Sequence, residues 1–285
     1  YPGIRTTLIR DSTFAITGKV RAELEAESLE ADVLHVLDIG IFLDLRAERE
    51  LFRYDSPEYG AFPAEYKDEG YWAAMRAVSI CMAYDASRPP PEGPPRTWED
   101  LLRPQWKGRV GLENAQAGSQ YAQYYFLRER YGSVFWERMA EQRPKFYGSS
   151  GALLDALEAG DVDVAGEMSG YAVFRRQADG HTNVVGVWPE DGVPITIAPV
   201  AILRQAKNPN AAKLFLDFAL SKRGQELLQE LGGAYSVRAD VGSLEGKPRF
   251  GELRQLTPSR DWEDYLTMQS KLLREFANLF HPDAE

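Results

Sequence analysis

Five short polar turns carry most of the chemistry that this sequence offers. They read Arg10-Asp11-Ser12-Thr13, His35 to Asp38, Ala117-Gly118-Ser119-Gln120, Gly148-Ser149-Ser150-Gly151 and Glu167-Met168-Ser169-Gly170-Tyr171. Each leads from an apolar run into a stretch patterned as a helix. The first N–H groups of a helix lack partners inside it and carry partial positive charge, so such starts attract anions. Serine and threonine hydroxyls add donors, and Arg10 adds a full charge. Any one of these turns alone reads as an ordinary helix cap. Together they point to a ligand with negatively charged oxygen atoms.

Other chemistries lack their residues. His35, His181 and His281 have no metal-ligand spacing, and there is no HExxH. The run GSSG at 148–151 is not a nucleophile elbow, because its second glycine comes one residue early. No GxGxxG follows a strand, and the GK of TGKVR lacks the upstream glycine of a phosphate loop. No cofactor is called for, and the expectation is a binding protein without catalytic residues.

The bulk composition narrows the classes further. The 285 residues allow one large or two medium domains, and 44% hydrophobic residues supply a sizeable core. With 33 basic against 43 acidic residues, a net charge of −10 and no basic run, nucleic acid is excluded as a partner. No stretch is long and apolar enough for a membrane span; VLHVLDIGIFLDL at 33–45 is short and carries His35, Asp38 and Asp44. The single cysteine, Cys81, lies in an apolar run and reads as an inert buried thiol. No signal peptide is visible, and Tyr1 reads as a processed or trimmed end.

The elements that must position the turns follow from periodicity. Residues 3–11 read as a strand, 12–27 as a helix, 31–37 as a buried strand and 38–50 as the start of a second helix. This alternation is the signature of an α/β sheet with parallel strands. A strand at 77–85 is followed by the proline-rich loop ASRPPPEGPPRT, which excludes a helix. Thr97 and Asp100 form a capping box, a strand covers 108–114, and a helix covers 119–131. Gly160 closes a helix, and strands follow at 183–189 and 195–204. Pro209 and Ser221 open two helices within 208–233, and an amphipathic helix covers about 261–280. The inferred architecture is two α/β lobes: residues 1–83 with 198–285, and residues 84–197, with crossings near 84 and 196. A doubly connected pair of lobes offers a cleft that closes by hinging.

Two segments resemble a known family. TWEDLLRPQWKGRVGLENAQAGS at 97–119 and NPNAAKLFLDFALSKRGQELL at 208–228 are similar to signature segments of the extracellular solute-binding proteins of ABC importers. The similarity is strongest to the branch that binds ferric iron and to its relatives for phosphorylated sugars, phosphonates, thiamine and polyamines. EAGDVDVAGEMSGYAVFRRQADG and VWPEDGVPITIAPVAILRQAKNP fit the same pattern. The resemblance implies an α/β, two-lobed type II periplasmic binding protein fold with a ligand cleft between lobes. It also implies a monomer that docks on membrane permease subunits, periplasmic or extracytoplasmic, free or tethered as a lipoprotein. Members of the family begin with a strand and helix ahead of the position of Tyr1, so an upstream segment is expected.

The departures bear on the ligand. Ferric-binding members use neighbouring tyrosines where this chain has Gly170-Tyr171, and a ligand carboxylate where it has Leu37. The remaining iron donors would be Tyr171, His35 and Asp38. The favoured ligand is an organic phosphate or phosphonate, held by Arg10, Ser12, Thr13, Gly118, Ser119, Gln120, Ser149, Ser150, Ser169 and Gly170. The alternative of a thiamine- or polyamine-like cation would use Asp38, Glu167, Glu190 and Asp191, with Trp72 or Tyr171 for stacking. A different class remains open on this fold: a ligand-sensing module or an enzyme.

Overall fold

The breakers and caps read from the sequence bound the elements of the computed structural model, which describes residues 3–11, 13–90, 92–114, 118–243, 247–256 and 262–280. In chain order these elements are α1 (Thr13–Glu25), β1 (Val33–His35), α2 (Ile39–Ala47), β2 (Lys67–Asp68), β3 (Trp72–Asp85), β4 (Val110–Glu113), α3 (Gly118–Tyr131), α4 (Ser133–Glu141), β5 (Lys145–Tyr147), α5 (Ser150–Ala159), β6 (Val164–Ser169), α6 (Gly170–Ala178), β7 (Val184–Val187), β8 (Val193–Ile202), α7 (Pro209–Leu220), α8 (Lys222–Gly232), β9 (Gln255–Leu256) and α9 (Trp262–Phe280). The local signals act as their chemistry requires. Thr97 and Asp100 form the capping box, with the Thr97 N–H donating to Asp100 Oδ2 at 2.9 Å. Gly160 ends α5 in the left-handed conformation, φ 81°, which costs glycine nothing. Pro209 opens α7, and Ser221 Oγ accepts the Gly224 N–H at 3.1 Å at the start of α8.

The chain divides into two compact units. Unit 1 comprises Tyr1–Ala77, Ile197–Leu231 and Ser236–Leu244. Unit 2 comprises Val78–Thr196, Gly232–Tyr235 and Glu245–Glu285. The first two changes of unit fall inside β3 and β8, so each of these long strands serves both units. The helix α9, grouped with 1–83 in the sequence reading, makes its contacts in unit 2. The reason is the apolar face of α9: Tyr265, Leu272 and Phe276 are buried, and α9 packs on α3 and α4.

In unit 1, β1 pairs antiparallel with β8 (Val33↔Ile202, His35↔Val200), and β2 pairs antiparallel with β3. In unit 2, β4 pairs parallel with β5 and β6, while β3 runs antiparallel to β6 and β7. The pairing is therefore antiparallel in unit 1 and mixed in unit 2, which corrects the expectation of parallel strands. Alternation of strand-like and helix-like segments does not specify direction when β3 and β8 are long enough to run from one unit into the other. A second correction concerns residues 3–11. They adopt no regular structure, and Ile4, Leu8 and Ile9 are exposed. Among the described residues no strand pairs with them, and a period-2 pattern forms a strand only when a ladder partner exists.

The core of unit 2 is built where strands and helices approach closely. Cys81, Leu153, Leu157, Val162, Met168 and Val173 belong to one buried cluster between β3, β6, α5 and α6. The burial of Cys81 and the rise of its thiol pKa by desolvation agree with an inert side chain. Gly111 keeps this packing possible, since a Cβ there would overlap Leu153 Cδ1, and Gly166 does the same for the contact of β6 with β4. A Cβ at Gly166 would stand 2.7 Å from Val110 Cγ1, closer than carbon atoms tolerate.

Candidate functional site

In unit 2 the strand ends bring three of the five turns to one edge. Parallel pairing sets Glu113 level with Tyr147, which leads into the Gly148–Gly151 turn. Gly111 pairs with Ala165, so Glu113 and Glu167 occupy equivalent positions two residues further along adjacent strands. Both are buried, at 3% and 0% exposure. Burial holds the Glu113 carboxyl above the ordinary range, against the opposing effect of the Ser150 hydroxyl that donates to it. Glu113 was missed at the sequence level; its one legible signal is an acidic residue closing an otherwise buried strand.

The Ser149-Ser150 turn is largely engaged by the protein itself. Ser149 caps α5, its Oγ accepting the Ala152 N–H at 3.2 Å. Ser150 Oγ donates to Glu113 Oε1. The turn at α6 differs. Ser169 is the N-cap of that helix, buried at 3% exposure, and its side chain makes no capping hydrogen bond. Ser169 therefore does not supply the acceptor that an N-cap serine ordinarily offers to the second or third helical N–H.

Gly170 is fixed by packing. A Cβ there would stand 2.5 Å from Ser79 Oγ, 3.3 Å from Ser79 O and 3.4 Å from Trp188 Cζ2. Ser79 Oγ is itself held, accepting the Trp188 indole N–H at 3.0 Å. The position that departs from the tyrosine pair of the iron-binding branch therefore has no room for a side chain.

The α3 turn is only partly described. Of Gly118 and Ser119 the backbone forms the first turn of α3, and their side chains lie outside the described residues, as do Ala117 and Ser12. Gln120 is wholly buried, its Nε2 donating to Gln123 Oε1 at 2.9 Å, while Gln123 Nε2 donates to Gly166 O at 2.6 Å. Gln123 thus braces α3 against β6, and Gln120 holds Gln123 in place. The Tyr124-Tyr125 pair serves packing: the hydroxyls donate to Glu275 at 3.0 Å and Asp264 at 2.8 Å within an aromatic cluster with Tyr265, Trp136 and Phe276.

Two acidic candidates for a cationic ligand are spent on unit 2. Glu190 pairs with Arg96 at 2.5 Å. Asp191 accepts the Trp98 N–H at 3.1 Å and the Tyr131 hydroxyl. The structure gives both residues structural partners.

In unit 1, Arg10 is exposed in the irregular segment, Thr13 is the first residue of α1, and Trp72 is buried in β3. Asp38 caps α2, its Oδ1 accepting the Gly40 N–H at 2.8 Å, and burial raises its pKa. His35 is the more informative residue. Its Nδ1 lies 2.9 Å from Pro199 O, and a carbonyl only accepts, so Nδ1 carries the proton. Burial, helped by the positive charge of Arg76, pushes the imidazole down to about 4. His35 is therefore neutral at pH 7 and presents an unprotonated Nε2. Arg76, on β3, is the residue of this group that sequence reasoning missed.

A stability test follows from His35. The unfolded imidazole protonates near pH 6.5, whereas the folded one resists until about 4. The unfolded state binds the extra proton first, so the contribution is present above pH 6.5 and is lost as pH falls toward 4. A shift of this size corresponds to about 3 kcal/mol. Denaturant unfolding between pH 7 and 4.5 is expected to show this loss in the wild type and a shallower dependence in His35→Gln; equal slopes would refute the assignment.

Among the described residues, no group of three or more His, Cys, Asp or Glu is placed to hold a metal ion, and no helix is long and apolar enough to cross a membrane.

Comparison with known proteins accords with this architecture. Iron uptake protein A1 of Synechocystis is 23% identical over 282 residues, covering 91% of this chain and 76% of that protein. Iron-bound HitA from Pseudomonas aeruginosa superposes with a TM-score of 0.82 at 21% identity, over 96% of this chain and 91% of HitA. AfuA from Actinobacillus pleuropneumoniae, with fructose-6-phosphate bound, gives a TM-score of 0.79 at 20% identity, over 97% and 90%. The chain spans about half the length, 54%, of other curated relatives that it matches. These likenesses establish the type II periplasmic-binding fold. Residues 35–249 match the sequence model of the family described as bacterial extracellular solute-binding protein. The chain belongs to the bacterial extracellular solute-binding protein family.

Proposed function

We propose that this protein is the solute-binding component of an ABC importer, working outside the cytoplasmic membrane with permease subunits, and that it binds without transforming a small phosphorylated or phosphonylated solute. The observation that carries the ligand class is the start of α6. Ser169 makes no side-chain cap, so the positive end of α6 lacks the serine acceptor and suits a ligand oxygen, with the Tyr171 phenol beside it. The buried Glu113 carboxyl, raised by desolvation, takes up a proton more readily and so opposes an anion less. AfuA, which resembles this fold, is described with a sugar phosphate bound.

A second reading has its own support. His35 is neutral, with its tautomer fixed by Pro199 O, which is how a histidine that ligates a metal is commonly oriented. Iron names recur among the relatives and structural neighbours. Against a ferric site stand the absent partner of Tyr171, the capping role of Asp38 and the positive charge of Arg76 near His35.

Thermal-shift and calorimetric titration with fructose 6-phosphate, a simple alkyl phosphonate, thiamine, spermidine and ferric citrate tests the choice. The expected result is stabilisation by a phosphate or phosphonate, weakened about tenfold or more when Tyr171 becomes phenylalanine, as for loss of a hydrogen bond to a charged group. Stabilisation by ferric ion alone, with a phenolate-to-metal absorption band, would establish the second reading instead.

A further inference from the structure

The first turn of α6 is backed by a buried amine that the reading above does not use. Lys247 is 7% exposed, in unit 2, and its Nζ donates to Gly233 O. The same nitrogen lies 4.3 Å from the ring centroid of Phe174 and 4.4 Å from that of Tyr235. Gly233 has φ 68°, and a Cβ there would stand 3.2 Å from Tyr171 O and 3.4 Å from Phe174 Cβ. Its backbone thus lies flush against the turn that carries Tyr171. Phe174 in turn stacks on Trp188 at 5.4 Å, and Trp188 holds the Ser79 hydroxyl that faces Gly170. The contacts Ser79–Trp188–Phe174–Lys247–Gly233–Tyr171 make a ring around the start of the helix.

We propose that Lys247 is a positioning residue for the Ser169–Tyr171 turn: its ammonium ties the segment Gly232–Tyr235 to α6 and thereby sets the orientation in which Tyr171 and the first N–H groups meet ligand. The proposal rests on the reading that this turn binds ligand. An ammonium is attracted to two ring faces and to a carbonyl at once; a neutral amine keeps one donor to the carbonyl and loses the attraction to the rings. Burial brings the Lys247 amine down to about 8, close to the pH at which the clamp would release. The titratable neighbours are Cys81 on β3, Tyr235 on the tied segment and Glu167 on β6, which acts on Cys81. Desolvation raises both Cys81 and Tyr235 far above their ordinary values, so neither ionises over pH 6.5–9.5.

The full chain is titrated with fructose 6-phosphate from pH 6.5 to 9.5, as wild type, Lys247→Arg and Lys247→Met. Trp188 emission, taken by difference from Trp188→Phe, is followed over the same range without the sugar phosphate. The wild type is expected to lose affinity about tenfold with a midpoint near 8, a change of one decade in the binding constant, and to show a matching emission step. Lys247→Arg keeps its charge and is expected to show neither step; Lys247→Met is expected to bind weakly at every pH. If no sugar phosphate binds the wild type at any pH, the ligand reading fails while the emission step still tests the clamp. Equal affinity and an unchanged emission profile in Lys247→Met would overturn the proposal, as would an emission step retained in Lys247→Arg should the methionine variant not fold.

Discussion

Gly170→Ala is expected to destabilise unit 2 by about 1–3 kcal/mol and to abolish the response to ligand. The added methyl would stand 2.5 Å from Ser79 Oγ and 3.3 Å from the Ser79 carbonyl. A serine hydroxyl can rotate away, but here it accepts the Trp188 indole N–H, and the backbone carbonyl belongs to β3. Relief therefore requires α6 to move outward, taking Gly170 and Tyr171 with it. The functional loss should exceed the loss of stability, because a displacement of a fraction of an ångström matters little to an apolar contact and much to aligned donors. Differential scanning fluorimetry gives the stability change, and calorimetry with the best ligand of the screen gives the binding change. Full ligand affinity in a normally folded Gly170→Ala would show that the α6 start does not meet ligand. Gly170→Tyr serves as a companion: it is expected to misfold unit 2 without creating an iron site, so the departure from a tyrosine pair is not reversible by one substitution.

The second large effect belongs to unit 1. Arg238 is 8% exposed and ties three groups together by four hydrogen bonds: Glu58 at 2.6 Å, the two oxygens of Asp240 at 2.8 and 2.9 Å, and Leu220 O at 2.7 Å. The guanidinium holds the Asp240 carboxyl below its usual range, and those two carboxylates raise Arg238. Arg238→Ala would strand two carboxylates and the last carbonyl of α7 in a largely buried place. Breaking a buried pair from one side costs about 3–5 kcal/mol, and the exposure of Asp240 places this case toward the lower end. Arg238→Lys keeps the charge but loses the fork that grips Asp240, and recovery should be partial. Chemical denaturation is the measurement, and a change under 1 kcal/mol for Arg238→Ala would mean that water replaces the network. A pH series adds a sign check: the contribution of Asp240 is present above its unfolded pKa and is lost as pH falls through the depressed folded value.

Helix starts and stops were legible in the sequence because they are decided within four or five residues. Thr97 with Asp100, Ser149 before α5, Gly160 after it, Pro209 and Ser221 each act through the backbone next to them. The position of the α6 turn was legible for the same reason. Its special character was not, since an uncapped Ser169 and a sterically closed Gly170 depend on Ser79 and Trp188, about 90 and 20 residues away in the chain.

Strand direction, burial of charge and the fate of ambiguous polar residues were likewise decided by contacts of long sequence separation. Asp191 and Glu190 look like free acids in the sequence and are the partners of Trp98 and Arg96 in the fold. His35 looks like an ordinary titrating imidazole and becomes neutral through Pro199 and Arg76. Lys247 looks like a surface lysine and is enclosed by two rings and a carbonyl. The sequence by itself determined the α/β class, most helix boundaries and the turns that could meet a ligand, because local backbone chemistry and periodicity suffice for these. Only the tertiary structure decided which turn serines are engaged by the protein itself and which titratable groups change character, because desolvation and hydrogen-bond partners come from residues far apart in the chain.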